Sequence, residues 1–230
     1  MKQTAQDHFN NAIALCRNKQ FEEAIIQFNK AIDLQPKQTD FLYNRGKAYL
    51  KLRQLYEALT DFNAIIEIEP NNPYYLSERA VVFHLNGDNK SALADLDQAA
   101  ELEPNKPYRY SSRAYIKEKA GDIKGAIADY ERCIQLDPQD AIAYNNKGLA
   151  EEKLGYIDKS KKSFKTADDL DSNKDVNPIA ASETKETASE NDGKSTFSAK
   201  DYITTIKSLV ADKSERDSFG KFLKGLFQKH

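Results

Sequence analysis

The stretch FEEAIIQFNKAIDLQP at residues 21–36 occurs again as YEALTDFNAIIEIEP at 56–70, KSALADLDQAAELEP at 90–104 and KGAIADYERCIQLDP at 124–138. The prolines that end these stretches are 34 residues apart. A fifth copy, DKSKKSFKTADDLDS at 158–172, ends in serine where the next proline would fall. A regular period of this length predicts a chain that is built from repeated supersecondary units.

Small and large apolar residues recur at the same interval. One small position holds Ala24, Ala58, Ala92, Ala126 and Ser160, a second holds Ala12, Gly46, Ala80, Ala114 and Gly148, and a large position holds Phe28, Phe62, Leu96, Tyr130 and Phe164. Gly87, Gly121 and Gly155 mark a turn in the last three copies. Each unit is therefore predicted to be a helix, a short turn and a second helix, which proline ends because it lacks an amide donor.

These residues make the chain resemble the tetratricopeptide repeat family. The resemblance covers residues 5–172 as five units, at approximately 5–38, 39–72, 73–106, 107–140 and 141–174. It implies an all-α fold, a right-handed α-solenoid of helix-turn-helix units. It also implies that the first helix of each unit lines a concave groove, which binds peptides or partner helices. The tryptophan position of the family is filled here by His8, Leu42, Leu76, Tyr110 and Tyr144.

The resemblance also assigns the residues of a peptide-binding groove. They are Phe9, Asn10, Ile13, Tyr43, Asn44, Lys47, Tyr74, Glu78, Tyr108, Ser112, Tyr115, Asn145 and Asn146. This lining is rich in aromatic and amide side chains, which suits an extended peptide because asparagine pairs with its backbone and tyrosine offers rigid apolar area. Tyr74 and Tyr108, which each follow a proline, have an alternative role in packing one repeat on the next.

One subclass of the family captures the C-terminal carboxylate of chaperones with lysine, asparagine and arginine side chains. The corresponding positions here hold Phe9, Ile13, Asn44, Tyr74 and Glu78, of which only Asn44 agrees. The resemblance therefore argues against recognition of a chaperone tail, since Glu78 would repel a carboxylate.

Charged residues vary together between the repeats. Arginine occurs at 45, 79 and 113, and aspartate occurs sixteen residues later in each of the same three central repeats. The end repeats lack both at these positions, which hold Asn11 and Gln27 in the first repeat and Lys147 and Ser163 in the last. We predict a ladder of Arg–Asp pairs between the two helices of each central repeat, with a structural role in orienting the helices and with ligand recognition as the alternative role.

The composition changes after Ser172. Residues 173–198 are rich in Ser, Thr, Glu, Asn and Lys and are predicted to be a flexible linker. Residues 199–230 are predicted to form amphipathic helices, because Tyr202, Ile203, Ile206, Leu209 and Val210, and then Phe219, Phe222, Leu223, Leu226 and Phe227, recur at helical spacing. This segment has three alternative contacts: the repeats themselves, a partner protein, or a membrane surface through the lysine-rich residues 214–229.

Several functional classes find no support in the sequence. The three histidines lack the spacing of a helical metal pair, and no phosphate loop or nucleophile motif occurs, so we expect no catalysis, metal or cofactor. A net charge of -2 and the lack of a basic stripe argue against nucleic-acid binding. Cys16 and Cys133 are too few and too far apart for a disulfide framework, and no signal or membrane-spanning stretch is seen, so a cytoplasmic location is expected.

The sequence thus predicts a non-enzymatic adaptor whose five repeats bind a protein or peptide ligand in the concave groove. An alternative is a membrane-peripheral assembly factor that is tethered by residues 214–229. A further alternative is a scaffold that associates with itself.

Overall fold

The computed structural model describes residues 3–176, and this part of the chain consists of helices and turns without a strand. The linker predicted at 173–198 lies outside the described residues except for 173–176, and the segment 199–230 lies outside them entirely. The helices are α1 (Ala5–Arg17), α2 (Phe21–Leu34), α3 (Thr39–Lys51), α4 (Leu55–Ile68), α5 (Pro73–Leu85), α6 (Asn89–Leu102), α7 (Pro107–Lys119), α8 (Ile123–Leu136), α9 (Ala141–Lys153) and α10 (Ile157–Val176).

The helices pack as five consecutive pairs, α1 with α2 and so on to α9 with α10. This confirms the predicted all-α architecture of helix pairs. The pairs belong to two compact units: unit 1 contains α1–α6, and unit 2 contains α7–α10. Within unit 1, α2 also packs on α3 and α4 on α5; within unit 2, α8 packs on α9. Within unit 1 the α3–α4 pair is therefore covered on both sides by its neighbours in sequence.

Proline ends the second helix of the first four pairs. These helices end at Leu34, Ile68, Leu102 and Leu136, and the proline comes two residues later in every case. In the fifth pair Ser172 stands at the proline position, and α10 continues to Val176. Serine retains the amide donor that proline lacks, which permits the extra turn of helix.

The recurring small residues lie where two helices of a pair approach most closely. Ala24, Ala58, Ala92 and Ala126 are fully buried. A Cβ atom on Gly46 would lie 3.2 Å from the ring of Phe62, and one on Gly148 would lie 2.6 Å from the ring of Phe164. The small position of the first helix and the large apolar position of the second helix are thus one contact, which limits side-chain volume at this point.

The turn inside each pair requires a left-handed backbone at its second residue. Gly87, Gly121 and Gly155 have φ of 82°, 92° and 74°, as the sequence indicates. The same position in the first two pairs is held by Lys19 and Arg53, with φ of 63° and 60°. In all five turns the next amide donates to a carbonyl five residues back, which closes the helix end. The first two turns therefore carry a strain that the last three avoid.

Replacing Lys19 by glycine should relieve this strain. We expect Lys19→Gly to raise the free energy of unfolding by about 0.5–1 kcal/mol, measured by urea denaturation, because glycine adopts positive φ freely. The matched control is Lys30→Gly, the same exchange at an exposed site inside α2. It should lower stability by about 1 kcal/mol. Equal effects of the two changes would contradict the proposed strain.

The predicted Arg–Asp ladder is present. Arg45 donates through Nε and Nη2 to the two carboxylate oxygens of Asp61 at 3.0 and 2.6 Å. Arg79 with Asp95 and Arg113 with Asp129 form the same two-bond arrangement. The arginines also link neighbouring pairs, since Nη1 of Arg45 donates to Asn29 Oδ1 at 2.7 Å and the equivalent Arg79 bond goes to Asn63. One guanidinium thus joins three helices.

The last repeat places its carboxylate differently. Lys147 occupies the arginine position and lies 3.5 Å from Glu151, one turn later on the same helix, and 3.3 Å from Glu131 of the preceding pair. Ser163, at the aspartate position, donates to Glu151 at 2.8 Å. Glu151 is almost fully buried. In the last repeat a carboxylate therefore still lies between the two helices, but it comes from the first helix and not from the second. The spacing of Arg and Asp in the sequence did not indicate this exchange.

A double-mutant cycle on Arg79 and Asp95 should show strong coupling. Truncating both to alanine, singly and together, should give a coupling energy of about 1–2 kcal/mol in urea denaturation, because the pair is bidentate and Asp95 is buried. The control pair is Lys153 and Glu118, whose lysine is 51% exposed and makes one contact. Its coupling should stay below about 0.5 kcal/mol. Additive effects at Arg79 and Asp95 would rule out an orienting role.

Candidate functional site

The residues predicted to line a groove all lie on the first helices of the pairs, α1, α3, α5, α7 and α9. Asn10 is exposed, and Tyr74 and Asn145 are partly exposed. The remaining residues are buried: Phe9, Ile13, Tyr43, Asn44, Lys47, Glu78, Tyr108, Ser112, Tyr115 and Asn146. Their role in binding a ligand stays a prediction, while their burial is a property that the periodicity of the sequence did not indicate.

Phe9 and Ile13 are part of the apolar core of the first helix pair. The ring of Phe9 lies 4.8 Å from the ring of Phe41 and 5.9 Å from that of Phe28, measured between centroids. Ile13 belongs to the same cluster of buried side chains. Neighbouring Asn10 is exposed and accepts a hydrogen bond from Gln6 at 2.9 Å. At this end of the chain the predicted lining therefore consists mainly of core residues.

Three tyrosines of α3 and α5 form an aromatic cluster. The ring centroid of Tyr43 lies 5.7 Å from that of Tyr74 and 5.9 Å from that of Tyr75, and the hydroxyl groups of Tyr43 and Tyr74 are 2.5 Å apart. Tyr43 also packs edge-on against Phe62. Tyr74 therefore packs one repeat on the next, which was the alternative role, and it also brings a hydroxyl to the predicted site.

A buried ion pair lies beside these rings. Lys47 Nζ is 3.7 Å from Glu78 Oε2, donates to the Tyr43 hydroxyl at 3.0 Å and sits above the Tyr43 ring. Lys47 is 3% exposed and Glu78 is 4% exposed. Burial lowers the pKa of Lys47 from its ordinary value, although Glu78 opposes the shift. The same effect, the cost of burying a charge, raises the pKa of the Tyr74 hydroxyl. The electrostatic environment thus disfavours charge on both side chains.

Lys47 and Glu78 are 31 residues apart, as are Tyr43 and Tyr74. This separation is shorter than the 34-residue repeat by about one turn of helix. It is the offset at which the first helices of adjacent repeats meet. We call Tyr43, Asn44, Lys47, Tyr74 and Glu78 the inner face of unit 1. A search of the sequence for complementary residues at an offset of 31 could have found the ion pair.

Two asparagines at one repeat position have a buried carbonyl oxygen without a hydrogen-bond partner. Asn44 is 0% exposed, and its Nδ2 donates to the Asp40 carbonyl at 2.7 Å, but its Oδ1 accepts no bond. Asn146 Oδ1 in unit 2 is also buried and accepts no bond. Buried polar groups are nearly always paired, so each of these acceptors requires an explanation. The two asparagines occupy the same repeat position in separate units.

Unit 2 carries a second group of predicted site residues on α7. Ser112 donates its hydroxyl proton to the Tyr108 carbonyl at 2.7 Å. The guanidinium of Arg109 lies 4.5 Å from the centroid of the Tyr108 ring, and the Lys119 ammonium lies 5.5 Å from that of Tyr115. Arg109 is buried but was not among the predicted site residues. On α7 the predicted site thus combines tyrosine rings with cationic side chains, and each cation is attracted to the ring beside it.

The described residues contain no group of three or more His, Cys, Asp or Glu side chains placed to hold a metal ion. Within residues 3–176, none of the helices has the length and apolar character needed to cross a membrane. Cys16 and Cys133 are free thiols in buried positions. Burial raises the pKa of Cys16 to about 12, which keeps this thiol protonated and unreactive near neutral pH.

Comparison with known families agrees with this arrangement of helix pairs. A sequence model described as TPR repeat matches residues 12–52 and 118–155, and two models described as tetratricopeptide repeat match residues 39–72 and 141–174. No curated protein matches the chain in sequence. The fold and the family matches together define a helical repeat protein, and the chain belongs to the tetratricopeptide repeat family.

Solved structures share this fold. A crystal structure of MamA is 21% identical with a TM-score of 0.68, covering 78% of this chain and 98% of that one. MamA from Desulfovibrio magneticus RS-1 is 18% identical with a TM-score of 0.68, over 76% and 99% of the two chains. YrrB, described as a TPR protein with an unusual peptide-binding site, is 22% identical with a TM-score of 0.60, over 72% and 86%. These similarities establish the fold.

Removing one partner of the buried ion pair should be costly. We expect Lys47→Met to lower the free energy of unfolding by about 3 kcal/mol, because Glu78 stays buried and loses the ammonium group beside it. The double change Lys47→Met with Glu78→Met should recover most of this loss, since apolar side chains of similar volume remove both desolvation terms. Urea denaturation of the three variants measures both effects. A double variant as unstable as Lys47→Met would contradict direct pairing.

Proposed function

We propose that the repeats form a non-enzymatic protein-interaction module, in which the first helices of each unit bind an extended peptide or a partner helix. The observation that carries this proposal is the pair of unsatisfied oxygens on Asn44 and Asn146. A backbone N–H of a bound segment supplies the donor that each oxygen lacks. Because an unpaired buried acceptor costs about 1–3 kcal/mol, pairing with a ligand favours binding by a comparable amount.

The surroundings of Asn44 suit a protein ligand. Tyr43, Tyr74 and Tyr75 provide rigid apolar area next to it, which binds side chains at small cost in conformational entropy. Lys47 and Glu78 already neutralise each other, so the face has no net charge of its own to select an acidic or basic ligand. Shape and backbone hydrogen bonds are therefore the main determinants of recognition in this proposal.

The similarity to YrrB is consistent with this function. YrrB has the same arrangement of helix pairs and is described as having a peptide-binding site. The likeness in sequence is too low to transfer the position of that site to this chain. The support from YrrB is therefore limited to the class of ligand, and the positions proposed here depend on the contacts of this chain.

Selection of peptides from a random displayed library against the full chain tests the proposal. We expect Asn44→Ala or Asn146→Ala to weaken a selected peptide about tenfold by calorimetry, which corresponds to the loss of one hydrogen bond of about 1.4 kcal/mol. Glu101→Ala, at an exposed site on α6, is the matched control and should leave the dissociation constant unchanged. Peptides that bind both asparagine variants with full affinity would contradict the proposal.

Thermal unfolding of the same variants separates binding from folding. Neither alanine removes an accepted hydrogen bond, because the Oδ1 atoms of Asn44 and Asn146 are unpaired. Both variants should therefore keep a cooperative transition. A loss of affinity that is accompanied by loss of this transition would count against a direct role of the asparagines in binding.

A further inference from the structure

The first helices of unit 1 differ in exposure. In α1, Gln6, Asp7, Asn10, Asn11 and Ala14 are exposed. In α3 and α5, no residue on any side is exposed. Helix α3 packs on α1, α2 and α4, and α5 packs on α4 and α6. Helices α3 and α5 also contact each other, through the rings of Tyr43 and Tyr74 and through the Lys47–Glu78 pair.

The buried residues of α3 include the side that faces away from its partner helix. Arg45 marks the side toward α4, where it binds Asp61. Lys47 comes two residues later, about 200° around a helix of 3.6 residues per turn, and is 3% exposed. In α5, Arg79 marks the side toward α6, and Ser77 and Glu78 on other sides are also buried. These sides contain lysine, serine and glutamate, which are normally solvated.

We propose that the apolar stripe Tyr202, Ile203, Ile206, Leu209 and Val210 of the same chain binds the inner face of unit 1. This inference rests on the proposed function, because the stripe would occupy the face that is assigned to the ligand. The stripe recurs at helical spacing in the sequence. A segment with this spacing presents one apolar side, which fits helix-in-groove recognition.

Charge favours this stripe over the second apolar stripe. The sequence YITTIKSLV at 202–210 has Lys207 as its one charged residue, whereas SFGKFLKGLFQKH at 218–230 has three lysines and no acid. On the inner face of unit 1, Lys47 and Glu78 form their own pair. A nearly uncharged segment therefore loses less on burial there than a lysine-rich one. The second apolar stripe, within residues 218–230, is therefore not assigned to this face.

The stripe is tethered to the repeats. Twenty-five residues lie between Val176, the end of α10, and Tyr202. A random-coil chain of 25 residues would have a root-mean-square span of about 25–30 Å. Tethering on this scale gives an effective concentration in the millimolar range. A stripe of modest intrinsic affinity then covers the face most of the time, and an external ligand has to displace it.

Acetylation of lysines in the full chain measures whether the face is covered. The test variant is Ile206→Asp with Leu209→Asp, which breaks the stripe; the matched control is Thr205→Asp with Ser208→Asp, which adds the same charge off the stripe. We expect Lys47 to react at least about fivefold faster in the test variant than in the parent, with the control equal to the parent. Lys30 on α2 is exposed and should react equally in all three proteins.

Three further results bear on the outcome. Equal protection of Lys47 in parent and test variant would overturn the proposal and assign the cover to other repeats, and it would leave peptide binding at Asn44 untouched. A dimeric mass in light scattering, with Lys47 exposed on dilution, would overturn the tethered form in favour of a second copy. Cys16 reports unfolding, since its buried thiol reacts with a thiol reagent only in an opened chain. If Cys16 reacts in the test variant, the variant Ile206→Ala with Leu209→Ala must reproduce the Lys47 result.

Discussion

The structure depends on one constraint, the close approach of the two helices within each repeat. A ring at 28, 62, 130 or 164 fills the space that a small residue leaves on the facing helix, and the Cβ that Gly148 lacks would lie within 2.6 Å of the Phe164 ring. Such a pair still has an apolar side that it cannot bury alone. Stacking on a neighbour removes that side from water, so the stability of each repeat is partly an interface term.

The Arg–Asp pairs specify the orientation of the helices at a modest cost in free energy. The guanidinium groups of Arg45 and Arg79 each bind an aspartate of their own repeat and an asparagine of the preceding one. Burial raises the pKa of Asp61, and the Arg45 hydrogen bonds only partly oppose this shift. The desolvation of the carboxylate therefore offsets much of the attraction, and the main effect of the pair is to select one angle between helices.

The inner face of unit 1 contains polar groups whose burial costs free energy unless each has a hydrogen-bond partner. It contains a lysine whose pKa is lowered by burial, tyrosine hydroxyls within hydrogen-bonding distance of each other, and an amide oxygen with no donor. A segment that brings apolar side chains and backbone amides satisfies both needs at once. Both proposals, recognition of a partner and coverage by the chain itself, therefore rest on the same surface chemistry.

The sequence by itself determined the period, the helix pairs, the proline stops, the glycine turns and the Arg–Asp ladder. Each of these depends on residues within one repeat, whose relation recurs three to five times along the chain and is therefore visible without coordinates. Only the tertiary structure decided that ten predicted groove residues are buried, that Lys47 meets Glu78, that Glu151 replaces an aspartate, and that Lys19 and Arg53 adopt a left-handed backbone. These features depend on the stagger and rotation between neighbouring helices, and such geometry arises from the packing of side chains rather than from their spacing along the chain.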